Sequence, residues 1–87
     1  MRTQVIYVDV RTPEEFAERH YPGAKNVPLA VLDRRMHELE PKHRPLVVYC
    51  RSGVRSAHAT SMLRRAGFTD VTDAGALDAL LSSSAHP

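Results

Sequence analysis

The residues of this chain with the clearest chemistry are its single cysteine, Cys50, and the loop that follows it. The apolar run 46–49 predicts a strand that ends at Cys50, and the pattern over 56–66 predicts a helix just beyond it. The loop between them carries two arginines, Arg51 and Arg55. A strand end followed by a tight loop and a helix N-terminus brings free backbone N–H groups toward the thiol. We therefore predict an anion-binding loop with a sulfur nucleophile at its base.

The thiolate is the reactive form of cysteine, and three features of this loop favour it. Arg51 and Arg55 bring positive charge close to the sulfur, and the helix dipole adds a further partial charge. Gly53 lets the backbone curl so that successive N–H groups converge, as in an anion-binding nest. A lone cysteine at a strand end is more often a small buried apolar residue. The two arginines beside it favour a reactive thiol instead.

Strand and helix patterns alternate along the rest of the chain. The β-branched run 5–10 predicts a buried strand, and Thr12-Pro13-Glu14-Glu15 predicts a capping box that starts a helix ending near Arg19. Gly67 is predicted to end the helix after the cysteine loop. The remaining predicted elements are a short strand at 25–27, one amphipathic helix over 29–39, a short strand over 68–72, a turn at 74–76 and a last helix through Leu81. This alternation implies an α/β domain with a mainly parallel sheet and helices on both faces. Asp9 and Cys50, both at carboxyl ends of strands, are then expected to converge.

Eighty-seven residues are enough for one domain, with its core at about 5–81 and a small polar tail, 82–87, that we expect to fray. One cysteine excludes an internal disulfide and a cysteine-based zinc site. The five histidines show no metal-ligand spacing, so we predict neither a metal nor a cofactor.

The formal net charge of +2 is mild, and there is no dense Lys/Arg run with interleaved aromatic residues, so we do not expect nucleic acid as a partner. No apolar stretch is long enough to span a membrane, and the N-terminus does not have the layout of a signal peptide. We expect a cytoplasmic protein, or a periplasmic one if a leader has been removed.

Four segments, in order, resemble the rhodanese-type sulfurtransferases. The loop Cys50-Arg51-Ser52-Gly53-Val54-Arg55 is similar to the active-site loop of the members that prefer thiosulfate. The other three are Asp9-Val10-Arg11 with Pro13-Glu14-Glu15-Phe16, His20-Tyr21-Pro22-Gly23-Ala24-Lys25-Asn26-Val27-Pro28, and Gly67-Phe68-Thr69-Asp70-Val71 with Ala74-Gly75-Ala76-Leu77. The resemblance covers about residues 5–81 and is closest to the small single-domain type of phage shock protein E.

The resemblance implies a rhodanese fold and sulfur transfer by double displacement. The Cys50 thiolate would take the outer sulfur of a small anionic donor, thiosulfate, and pass it from a persulfide to a thiophilic acceptor such as cyanide or a thiol. The backbone of Arg51, Ser52, Gly53, Val54 and Arg55 would hold the persulfide sulfur and developing charge, and both arginines would bind the sulfonate oxygens. Ser56 would donate a hydrogen bond to the sulfur or cap the helix.

Asp9 and Arg11 have a supporting role in this reading. We expect them to fix the loop or to pair with Glu14 or Glu15, and we expect the protein to be a monomer.

Three other functions compete with the sulfurtransferase. A Cys-dependent phosphatase or arsenate reductase would carry Cys-x5-Arg, a loop one residue longer that fits phosphate, whereas Cys50 and Arg55 have four residues between them. An interaction module would not need the nucleophile that this chain retains. A persulfide carrier for a partner protein shares the first half-reaction, and the sequence does not separate it from a free-standing enzyme.

Overall fold

The computed structural model describes residues 4–84 and contains one sheet of four parallel strands. The strands are β1 (Ile6–Asp9), β2 (Lys25–Asn26), β3 (Leu46–Cys50) and β4 (Val71–Ala76), in the spatial order β2-β1-β3-β4. β1 and β3 are central, and Val8 lies opposite Val48. Their apolar, β-branched composition suits strands covered on both sides. The strand order brings the carboxyl ends of β1 and β3 side by side.

Four helices accompany the sheet in the described residues. They are α1 (Pro13–Glu18), α2 (Leu32–Arg35), α3 (Val54–Arg65) and α4 (Leu77–Ser84), and α2 lies between two 3-10 turns, Leu29–Val31 and Met36–Leu39. The Thr12 capping box predicted for α1 is confirmed: the Thr12 hydroxyl accepts from the Glu15 N–H, and the Glu15 carboxylate accepts from the Thr12 N–H.

Alternation along the strands divides the interior into two sides. Val8, Leu46, Val48 and Cys50 belong to the main apolar core, which α3 and the segment around α2 cover. Residues on the opposite side of the same strands include Asp9 and Tyr49. On that side Arg19, which follows α1, pairs with Asp78 of α4.

The segment 29–39, predicted as one helix, is broken into a short α-helix between two 3-10 turns. Backbone angles leave the helical region at Val31 and Arg35, and neither residue supplies a side-chain cap. Leu32 and Leu39 are nonetheless fully buried, so the predicted apolar face is present. Each of the three helical pieces has only three or four residues, which is too short to be stable alone. Packing against the core therefore holds this segment in place.

The strand predicted over 68–72 is present but lies further along the chain, since β4 spans Val71–Ala76. The turn predicted at 74–76 is wrong, because those residues belong to β4. An extra residue in β4 shifts its pairing with β3 between Val48 and Tyr49, which forms a β-bulge. The extra residue is Ala74, and it is followed by Gly75, whose φ is 79° and whose N–H donates to the Asp73 carboxylate over 2.9 Å. The glycine therefore belongs to a strand irregularity rather than to a turn.

The end of α3 agrees with the sequence. Gly67 has φ of 102°, its N–H donates to Arg64, and the Phe68 N–H donates to Leu63. This pattern is a Schellman motif, and it places Phe68 in the core. Helix α4 continues to Ser84, three residues past the predicted end, and the rest of the predicted tail lies outside the described residues. Within residues 4–84, no helix has the length and apolar character needed to cross a bilayer.

Candidate active site

Cys50 is the last residue of the central strand β3, and its side chain is fully buried at the carboxyl edge of the sheet. The Gly53 N–H donates to its Sγ atom over 2.9 Å. The strand therefore delivers the sulfur to the point where the backbone turns toward α3. This position was predicted from the apolar run that ends at the cysteine.

Gly53 makes the turn possible. Its φ of 101° lies in the left-handed region, and it occupies the N-cap position of α3. Its carbonyl accepts from the Ala57 N–H and from the Ser56 hydroxyl, the latter over 3.1 Å. Ser56 is therefore inside the first turn rather than at the cap, and one of its two expected roles, the helix cap, belongs to Gly53.

Two opposing influences act on the Cys50 thiol. Burial on its own raises the pKa of the thiol. Hydrogen bonds from the hydroxyl and N–H of Ser56, and from the N–H groups of Gly53 and Ser52, outweigh burial and bring the pKa of Cys50 below its ordinary value. The Ser56 hydroxyl has one proton and two acceptors, the Gly53 carbonyl and the Cys50 sulfur, so it can turn between them.

The loop residues around the sulfur differ in exposure. Arg51, Ser52 and Val54 are exposed, and Val54 keeps 76% of its surface in water. The side chain of Val54 thus contributes nothing to enclosing the sulfur, and its expected contribution is that of its backbone N–H. Arg51, which directly follows Cys50 in the sequence, is an exposed residue.

Arg55 makes a contact that the sequence did not indicate. Its two terminal nitrogens donate to the two Glu15 oxygens over 2.8 and 3.0 Å, a bidentate pair between α3 and α1. The hydrogen bonds from Arg55, with those of the capping box, hold the pKa of Glu15 at about 2. The carboxylate in turn raises the pKa of Arg55. Each terminal nitrogen retains one further N–H for another acceptor.

Asp9 and Arg11 pair with each other, and the expected alternative of pairing with Glu14 or Glu15 is wrong. The Arg11 guanidinium donates to the Asp9 carboxylate at 2.7–3.1 Å, and both side chains are almost fully buried. Glu15 is instead occupied by Arg55. Arg11 also donates to the Arg19 carbonyl over 2.6 Å, which ties the end of β1 to the end of α1.

Tyr49 connects this pair to β3, the strand that ends at Cys50. Its hydroxyl donates to the Asp9 carboxylate over 2.7 Å and accepts from the Tyr21 N–H over 3.0 Å. Burial is the main cause that raises the pKa of Tyr49, so the hydroxyl keeps its proton. Asp9 and Arg11 thus fix the residue immediately before Cys50. The sequence signal for this role was a tyrosine inside a buried apolar strand, because a buried phenol needs a partner.

Within residues 4–84, no histidine forms a hydrogen bond or an ion pair with the loop. His37, His43 and His58 are exposed, and His20 bonds to the Phe16 carbonyl and stacks on the Phe16 ring, as a structural residue at the end of α1. His86 lies outside the described residues. Among residues 4–84, no three His, Cys, Asp or Glu side chains are grouped as a metal site.

The fold and the site together define a small α/β domain with a buried cysteine at a strand end and a loop whose N–H groups point toward its sulfur. A family model described as the rhodanese-like domain matches residues 1–74. The chain therefore belongs to the rhodanese-like domain family, which confirms the family and the fold class predicted from the sequence.

Individual relatives agree with this assignment. A sulfurtransferase of Allochromatium vinosum is 44% identical over 64 residues, which are 74% of this chain and 59% of the relative. The thiosulfate sulfurtransferase PspE of Escherichia coli is 38% identical over 72 residues, covering 82% of this chain and 69% of the relative. A solved structure described as rhodanese with anions from E. coli superposes with a TM-score of 0.82 at 35% identity, covering 87% of this chain and 91% of that chain. The chain thus spans less than two thirds of the first relative's length.

Proposed function

We propose that this protein is a sulfurtransferase that moves sulfane sulfur from thiosulfate to a thiophilic acceptor through a persulfide on Cys50. The observation that carries the proposal is the set of hydrogen-bond donors around the Cys50 sulfur. An N–H donor lies 2.9 Å from Sγ, and further donors lower the pKa of the thiol although it is buried. A lowered pKa increases the fraction of thiolate, and a thiolate can attack without a general base.

In the first half-reaction, the Cys50 thiolate attacks the outer sulfur of thiosulfate. The bond between the two thiosulfate sulfurs breaks, its electron pair leaves with sulfite, and a persulfide forms on Cys50. The N–H groups of the loop then face the terminal sulfur and its negative charge. In the second half-reaction, the acceptor takes that outer sulfur, and Cys50 returns as a thiolate.

Arg51 and Arg55 are the proposed donor-binding side chains. Arg51 has an exposed guanidinium beside the nucleophile. Arg55 is held by Glu15 with one free N–H on each terminal nitrogen. A sulfonate accepts well from guanidinium N–H groups. Arg51 therefore supplies most of the attraction, and Arg55 supplies oriented donors whose charge is partly balanced.

A persulfide carrier for a partner protein remains the main alternative, because it uses the same first half-reaction. Phosphatase and arsenate reductase activity are disfavoured by the spacing of four residues between Cys50 and Arg55.

The test measures sulfur loading on the intact protein. Wild type mixed with thiosulfate should gain the mass of one sulfur on Cys50 and release one equivalent of sulfite, and cyanide should then yield thiocyanate. Cys50→Ser should do neither, while Ser61→Ala, a substitution elsewhere on α3, should behave as wild type. Absence of the adduct under non-reducing conditions, or thiocyanate formation by Cys50→Ser, would refute the proposal. Turnover of a generic aryl phosphate would instead support the phosphatase.

A further inference from the structure

A cleft of about 200 Å³ opens beside the Cys50 loop, between α1 and the start of α4. Apart from Leu77, every residue that lines it is charged: Arg11, Glu15, Glu18, Arg19, Arg51 and Asp78. Three guanidinium groups therefore face three carboxylates, and the formal charge of the lining is zero. The cleft is smaller than the roughly 300–1,000 Å³ of pockets that enclose drug-sized ligands, so its ligand has few heavy atoms.

Most of these charges are already satisfied within the protein. Arg11 is bound to Asp9, Glu15 is bound to Arg55, and Arg19 is bound to Asp78. Arg51 and Glu18 are different: within residues 4–84, neither side chain has an ion pair or a hydrogen bond. The cleft thus presents one free guanidinium, next to the nucleophile in sequence, and one free carboxylate on α1.

We propose that this cleft binds the sulfur acceptor, and that the acceptor is a small thiol carrying both a carboxylate and an ammonium group, with cysteine as the simplest example. This proposal rests on the proposed function. The acceptor carboxylate would bind the Arg51 guanidinium, and its ammonium would bind the Glu18 carboxylate.

The charge pattern distinguishes acceptor from donor. Thiosulfate is a dianion with no positive group, so it gains from Arg51 but not from Glu18. A zwitterion gains from both free groups at once, because each of its poles meets the opposite charge. Arg51 can serve both half-reactions in turn, since the sulfite of the first must leave before the acceptor of the second binds, as in ping-pong kinetics.

The transfer step balances without any further reactant. The acceptor thiolate attacks the outer sulfur of the Cys50 persulfide, and the bond between that sulfur and Sγ breaks. The electron pair of the broken bond stays on Sγ as the Cys50 thiolate. The product is the acceptor's own persulfide, and the proton of the acceptor thiol passes to solvent.

The experiment isolates the second half-reaction. Protein loaded to completion with thiosulfate and freed of small molecules is mixed with cysteine, with cysteamine, which lacks the carboxylate, or with 3-mercaptopropionate, which lacks the ammonium. Loss of the sulfur mass from Cys50 is followed for wild type, Arg51→Gln and Glu18→Gln. The control is Glu14→Gln, an exposed α1 carboxylate that does not line the cleft. Dividing each variant rate by the wild-type rate cancels the intrinsic reactivity of each thiol.

The two substitutions should act on different acceptors. Arg51→Gln should slow cysteine and 3-mercaptopropionate about fivefold and leave cysteamine unchanged, as expected for one partly exposed ion pair. Glu18→Gln should slow cysteine and cysteamine by a similar factor and leave 3-mercaptopropionate unchanged. Equal effects on all three thiols, or no effect, would overturn the proposal.

A second measurement does not depend on sulfur transfer. S-methylcysteine, which cannot react, should shift amide resonances of the cleft residues in unmodified wild type and in Glu14→Gln, and should do so weakly in Arg51→Gln and Glu18→Gln. If thiosulfate never loads Cys50, the proposed function fails, and this titration still tests the cleft. If loading succeeds but neither the thiols nor S-methylcysteine distinguish the variants, the acceptor proposal alone fails.

Discussion

At Cys50, burial and hydrogen bonding act on the same atom in opposite directions. A fully buried thiol would ordinarily be inert, because low polarity disfavours the thiolate. Here the turn at Gly53 directs N–H groups at the sulfur, and the Ser56 hydroxyl lies beside them. The site therefore combines shielding from water with stabilisation of the anion, and the proposed persulfide would need both.

Ser56→Ala should raise the pKa of the Cys50 thiol. The Ser56 side chain is the largest of the influences that lower this pKa, and alanine removes it without disturbing the helix. A higher pKa leaves less thiolate at neutral pH, so alkylation by iodoacetamide should slow about tenfold at pH 7, as expected when one hydrogen bond to a charged group is lost. The rates of the two proteins should converge at high pH, where both thiols are ionised.

The matched control is Ser61→Ala, because Ser61 lies on the same helix and interacts with Arg65 rather than with the sulfur. Its alkylation profile should overlay that of wild type. A profile for Ser56→Ala that also overlays wild type would show that the backbone N–H groups alone set the ionisation of Cys50.

The contact between α1 and α3 depends on one bidentate pair, Glu15 with Arg55. Its contribution to stability follows from the pKa of Glu15, which is about 2 in the folded protein against an ordinary value of 4.5. The ionised carboxylate therefore stabilises the fold fully above its ordinary pKa. That stabilisation is lost as the pH falls from about 4.5 toward 2.

Glu15→Gln should lower the free energy of unfolding by about 1 kcal/mol at pH 7, a value kept small because the pair is partly exposed. Glutamine preserves the capping box, so the substitution removes mainly the charge. Urea unfolding at pH 7, 4 and 2.5 should show the difference shrinking as the wild-type carboxylate takes up a proton. Glu14→Gln should match wild type throughout, and a constant difference for Glu15→Gln at all three pH values would contradict the ionic origin.

Elements with local signals were predictable, and elements shaped by their neighbours were not. The start of α1 and the end of α3 are set by Thr12 and Gly67. Both caps form with neighbouring residues in the sequence and need no distant partner. The break in 29–39 and the bulge at Ala74 result from packing and strand pairing. Apolar spacing predicts which side of a segment is buried, but it does not predict whether the backbone stays in one helix.

In the site too, features set by neighbouring residues in the sequence were predictable, and features set by distant residues were not. The nucleophile, its glycine turn and its arginines lie within six residues, so the sequence predicted them as a unit. The groups that hold them in place come from 40 residues away: Glu15 for Arg55, and Asp9 for Tyr49. Such pairings depend on β1 and β3 being neighbours, and a single sequence gives no direct signal of which charged group meets which.

The loop and the core are joined through α3, and we expect the molecule to unfold as one unit. Leu63 is fully buried in the core two turns along α3 from Ser56, and most of the other core residues come from the sheet and the segment around α2. A chain of this size with one core normally unfolds without stable intermediates. Far-UV circular dichroism, tyrosine fluorescence and exposure of Cys50 to alkylation should then share one midpoint in urea.

Leu63→Ala tests this coupling, because it removes core volume without touching the loop. It should lower the free energy of unfolding by about 2–5 kcal/mol and move the three midpoints together. His58→Ala, an exposed substitution on the same helix, should leave all three unchanged. If Cys50 becomes reactive well before circular dichroism changes, the loop opens independently of the core. In that case access to the sulfur is governed by local opening of the loop rather than by the stability of the fold.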